Sequence, residues 1–247
     1  MGSTDEYFSF KKLLAVLPRG QPLDVGYLKE RGLTAFHASH LAKAEWLTHL
    51  GRGVYMVPGD TLTRDGALAF LMRQHRGLHV GGKTALALRG VRHNLSFRDT
   101  LVLWGEKQIR LPEWFLTRFE ATHQTTKLFD SAMEQGFAVQ PLPNGHPEVM
   151  VSAPERALLE FLSDVGKTEL FQSAITLIEG THRLRADVLE TLLAHTTRIK
   201  VLRLAKTLAE QQELPWASLA KKYSDKKGGG ARWIAVSKTG ERLDLKQ

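Results

Sequence analysis

The first residues to suggest chemistry are Gly77–Thr84, GLHVGGKT. They satisfy the phosphate-loop pattern G-x-x-x-x-G-K-[ST], in which backbone N–H groups cradle phosphates and the lysine and hydroxyl complete the site. A working loop of this kind lies between a buried strand and a helix N-terminus. Here the preceding residues, ALAFLMRQHR, have helical periodicity and end polar and basic. TALALRG does supply a helix afterwards. The only loose candidate for a magnesium carboxylate is Glu106, at the end of LVLWGE. The letters match and the context does not. On the preferred reading Gly81-Gly82 forms a tight turn and Thr84 caps the next helix. A nucleotide-binding enzyme using Gly77–Thr84 stays open as the alternative.

Other catalytic chemistry finds little support. His37 and His40 are three apart and His75 and His79 four apart, but neither pair has a third ligand at a familiar spacing, so no metal site is expected. The chain has no cysteine, which removes disulfides, thiolate catalysis and Cys-ligated zinc together. No G-x-S-x-G occurs, and no carboxylate pair stands out. We therefore expect no catalytic residues and no cofactor.

A different constellation lies in LTAFHASHLAKAEW. With Thr34 as N-cap this reads as a helix of about three turns. Ala38, Leu41 and Ala42 share one face, suited to packing. Phe36, Ser39, His40 and Lys43 share the opposite face, with His37 on its flank. In a helix-turn-helix such a face enters the major groove, where Ser, His and Lys can bond bases or phosphates. An exposed Phe36 can also contact a thymine methyl.

The elements around this helix suit that role. YFSFKKLLAVLP has helical spacing and stops at Pro18. QPLDVGYLKERG is a short second helix ended by Gly32. LTHLGRGVYMVPG carries two strand-like pieces around Gly51-Arg52-Gly53, a hairpin signal that puts Arg52 at the tip. Three helices and a hairpin are the winged helix-turn-helix plan, and Pro58-Gly59 closes it near residue 60. Beyond lie a helix in TRDGALAFLMRQHRG, strands in TLVLW and PEVMV, and amphipathic helices in SAPERALLEFLSD, ELFQSAITLIEG, RADVLETLLAHT and RIKVLRLAKTLAEQQ. Ser152 and Glu155 form a capping-box pattern. The expected fold class is α+β: an N-terminal winged helix-turn-helix (1–60) followed by a mixed α/β C-terminal domain (61–247).

The net charge is +8, which suits a polyanionic partner. It is unevenly spread: +1 over residues 1–60, +5 over 61–120, −5 over 121–180 and +7 over 181–247. The two basic segments could share a face that meets nucleic acid or an acidic protein surface. Lys83, Arg89 and Arg92 are the candidates there. No apolar run approaches the ~20 residues of a membrane span, and the acidic start does not look like a secretory signal. A cytoplasmic protein with no membrane partner is expected.

Four stretches in order resemble a known family. GLTAFHASHLAKAEWLTHLGRGVYMVPGD is similar to the winged-helix start of the AbiEi antitoxins of type IV toxin–antitoxin systems, which act in phage defence. LHVGGKTALALRGVRHNL, SAPERALLEFLSD and the residues from Lys200 to the end resemble later parts of that family. The family usually carries Leu-Gly-Ser-Gly-Lys-Arg where this chain has KKGGGAR (226–232), with Arg232 at a matching basic position. The resemblance implies a repressor whose winged helix binds inverted repeats in its own promoter. It also implies a C-terminal antitoxin domain that counters, directly or indirectly, a nucleotidyltransferase-type toxin. Carried over by position, the groove-facing residues are Phe36, Ser39, His40 and Lys43, with Arg52 on the wing.

Overall fold

Leu13, Leu14 and Leu17 recur at helical spacing, and that spacing sets which face of the first helix is buried. The structure is a computed structural model that describes residues 12–91, 100–227, 233–236 and 242–245. Its contacts group into two units. One holds the described residues up to Arg76 together with Arg110–Phe119. The other holds Gly77–Ile109 and the residues from Glu120 onward.

The first unit runs α1 (12–16), β1 (Leu23–Asp24), α2 (Val25–Lys29), α3 (Ala35–Lys43), β2 (Thr48–Gly51) and β3 (Val54–Met56). The strands pair antiparallel in the order β1-β3-β2, the winged-helix arrangement. Local chemistry sets the boundaries. The Asp24 carboxylate accepts from the Tyr27 N–H at 2.7 Å and starts α2. Helix α3 ends in a Schellman turn, in which Trp46 N donates to Leu41 O and Glu45 N to Ala42 O. Glu45 takes the left-handed position there, with φ 61°. Leu17, Leu23, Leu28, Ala38, Leu47, Tyr55 and Val57 form the core of this unit. Helix α4 (Arg64–Gln74) belongs to it as well. Thr63 caps α4 at the Gly66 N–H and donates its hydroxyl proton to Gly20 O.

The second unit is built on a five-stranded mixed sheet. Chain order gives β4 (His79–Val80), α5 (Gly82–Leu88) and β5 (Leu101–Trp104). The chain then contributes α6 (Glu113–Leu116) to the first unit, where Trp114 meets Phe70 edge-on at 5.7 Å and Phe115 is fully buried. It returns as β6 (Ala121–Gln124), β7 (Val139–Pro141) and β8 (Met150–Ser152), in the sheet order β6-β5-β4-β8-β7. Five helices follow: α7 (Pro154–Asp164), α8 (Phe171–Ile178), α9 (Ala186–His195), α10 (Ile199–Gln211) and α11 (Ala217–Lys227). The chain closes with the antiparallel pair β9 (Trp233–Val236) and β10 (Arg242–Leu245). Among the described residues no helix is long and apolar enough to cross a membrane.

Two expected caps are absent, for one reason. Ala153, not Ser152, is the N-cap of α7, and Pro154 takes the first turn. Ser152 Oγ instead donates to Glu160 Oε2 at 2.8 Å, and Glu155 pairs with Arg185 at 2.9 Å. Thr84 does not cap α5 either. It accepts from Val102 N at 3.0 Å and donates to Thr100 O at 3.3 Å, tying the helix to β5. In both places a tertiary partner outbids the local one.

Candidate nucleic-acid interface

Helix α3 starts where Thr34 Oγ1 accepts from the His37 N–H at 3.3 Å. One face packs inward through fully buried Ala38, with Leu41 and Ala42 against the same core. Phe36, His37, Ser39, His40 and Lys43 are all exposed, and Phe36 is 75 % exposed. Its ring lies 5.9 Å from that of His37 and 6.4 Å from that of His40. The helix has no acidic residue, so the face offers a phenyl ring, two imidazoles, a hydroxyl and an ammonium. These groups suit base edges and phosphates.

The wing stands next in sequence. Arg52 is exposed at the turn between β2 and β3. Gly53 allows the turn twice over: its φ is +70°, and a Cβ there would meet Val25 Cγ2 at 2.9 Å. Exposed Trp46, Thr48 and His49 lie between α3 and the turn, outside the residues that the sequence pattern singles out. The signal was present, since β2 carries Thr and His among its four residues, but a hairpin pattern alone does not say which strand face is open.

The residues of GLHVGGKT are placed quite differently. A strand does precede the Gly-Gly pair, but it is the two-residue β4 inside the motif. That leaves no room for a loop wide enough to wrap a phosphate chain. The N-terminus of α5 already holds an anion, and it belongs to the protein. Fully buried Glu160 accepts from Gly82 N at 3.1 Å, Ser152 Oγ at 2.8 Å and Arg156 Nε at 2.8 Å, with His79 Nε2 at 3.0 Å. His79 Nδ1 lies 2.9 Å from Gly77 O. A Cβ on Gly81 would clash with Glu160 Oε2, so the glycine lets the carboxylate approach the helix end. Burial alone would raise the Glu160 carboxyl. The charges and hydrogen bonds of His79 and Arg156 outweigh it and hold the group at about 2.

Lys83 is ion-paired with Glu169 at 2.7 Å. Arg89 spends its guanidinium on backbone carbonyls, with Nε on Ser152 O at 2.8 Å and Nη2 on Val151 O and Gln140 O at 3.0 and 3.1 Å. Burial and the neighbouring Arg185 lower its proton affinity. Arg92 and Arg232 lie outside the described residues. Lys83 and Arg89 are thus near each other in sequence but bound to different internal partners. Among the described residues no group of three or more His, Asp or Glu side chains could hold a metal.

Comparison with known proteins adds a family. Residues 7–97 match the model for the N-terminal domain of the AbiEi antitoxin transcriptional regulator. Residues 98–246 match the model for the transcriptional regulator, AbiEi antitoxin, of type IV toxin–antitoxin systems. No curated protein matches the chain. Among solved structures, the RV2827C protein from Mycobacterium tuberculosis is similar in fold. It has a TM-score of 0.59 at 14% sequence identity, over 92% of this chain and 83% of that one.

Proposed function

This chain belongs to the AbiEi family, the antitoxin transcriptional regulators of type IV toxin–antitoxin systems, and from that premise we propose that it represses its own operon by binding inverted repeats in its promoter. The winged helix of residues 1–60 reads the DNA. Residues 61–247 carry the antitoxin activity against a nucleotidyltransferase-type toxin, and neither part is catalytic. The observation that supports this reading is the open face of α3: five side chains able to meet DNA are exposed together and none is acidic. Phe36, His37, Ser39 and His40 meet base edges, Lys43 reaches phosphate, and Arg52 on the wing touches backbone or minor groove.

A gel shift of the full chain on a duplex from its own upstream region tests this. The expected result is retarded bands at inverted repeats, weakened by the Lys43→Ala/Arg52→Ala double variant. Binding equal to that of the unaltered chain would overturn the site, and no binding to any fragment would overturn the function. On the antitoxin side, Lys83 and Arg92 are the basic residues to reverse in a growth assay with the toxin. Arg89 is a poor choice, because its loss frees three carbonyls and threatens the fold.

A further inference from the structure

We propose that Phe36 is a specificity-determining residue that reads the 5-methyl group of a thymine in each operator half-site. This rests on the DNA-binding reading and names what that face recognises. A phenyl ring three-quarters exposed, at the second position of a short helix, buries little within its own fold. Its neighbours on the face are His37 and His40, with rings 5.9 and 6.4 Å away. The ring is therefore held in an imidazole frame rather than an apolar cluster.

The inventory of the face narrows what it can read. Helix α3 has no Asp or Glu to accept from cytosine N4 and no Asn or Gln to bracket adenine N6 and N7. The apolar feature of the major groove is the thymine methyl, and Phe36 is the exposed large apolar group of α3. His40 lies four residues on, about 6 Å along the helix axis. A thymine under Phe36 with a purine acceptor under His40 fits this spacing.

Replacing thymine by deoxyuridine removes only the methyl, so it isolates the contact. Full-chain protein is titrated by fluorescence anisotropy against its own upstream duplex, with each thymine of the footprint replaced in turn. At one position per half-site the unaltered protein should lose about 4-fold in affinity, the equivalent of ~0.8 kcal/mol for one methyl-sized group. Phe36→Ala should bind more weakly and show no loss at that position, and Phe36→Leu should recover part of the sensitivity. Because Phe36 is exposed, neither variant threatens folding, and thermal melting checks this. Uniform tolerance of deoxyuridine overturns the proposal. So does a Phe36→Ala protein that keeps the sensitivity. A Phe36→Ala protein with undiminished operator affinity also overturns it and points to a protein partner for this face. Failure of the unaltered protein to bind any upstream duplex is a separate outcome, which overturns the DNA-binding reading itself.

Discussion

Helices α3 and α5 each begin with residues that could meet an anion, and they differ in what already occupies them. At α5 the Gly82 N–H, Lys83 and Thr84 each have a partner within the same unit, and Glu160 sits where a phosphate would. At α3 the cap is satisfied by Thr34, and the outward side chains are left exposed. A motif names residue types, but function needs those residues free to act. The more famous pattern is the closed one here, and the less distinctive helix is the open one.

The sharpest break of this contrast is at Glu160. Glu160→Ala would leave Arg156 without its buried counter-charge and Gly82 N and His79 Nε2 without their partner, and should cost about 3–5 kcal/mol, read from chemical denaturation. The sign with pH follows from the lowered proton affinity. The native carboxyl is held at about 2 against an ordinary 4.5, so its contribution is full above about pH 4.5 and is lost as pH falls toward 2. An unaltered acid limb of the stability curve in Glu160→Gln would contradict this.

Next in size is the open face. Lys43→Ala and Arg52→Ala should each weaken operator binding on the order of 10-fold near 0.1 M salt, if each contributes one phosphate contact. Neither should move the melting temperature by more than a degree or two, since both side chains are exposed.

Asp164, one turn beyond Glu160 on α7, makes the opposite case to its neighbour. Burial pushes its carboxyl up to about 6, and among the described residues Oδ1 has no hydrogen-bond partner. The unfolded chain ionises this group near 3.8, so stability falls as pH rises from about 4 to 6. Asp164→Asn should therefore gain on the order of 1 kcal/mol at pH 8 relative to pH 5. Equal effects at the two pH values would show that this carboxylate is better solvated than its burial suggests.

The smallest effect is expected at Lys83. Its ion pair is partly exposed, so Lys83→Ala should cost under ~1 kcal/mol. Calorimetry with ATP or GTP should show no heat for the variant or the unaltered chain. Saturable heat that vanishes with Lys83 would reopen the nucleotide reading.

The sequence made α3 legible because its signals are short-range: Thr34 three residues from its N–H partner, and small or apolar residues one turn apart. The wing was legible through Gly51-Arg52-Gly53. The hub at Glu160 was not, because Gly82 and His79 lie 78 and 81 residues from it in the chain. Strand β4 has two residues, too few for any periodicity. The family resemblance supplied the sequence order of the parts, but not that Arg89 would clamp the carbonyls around β8.

The open face of α3 and the wing are the surfaces proposed to contact DNA. The most direct measurement is the salt dependence of operator affinity for the unaltered chain and for Lys43→Ala/Arg52→Ala. The expected result is a steep linear fall of log K with log salt, made shallower by about 2 in the double variant. Identical slopes for the two proteins would contradict it.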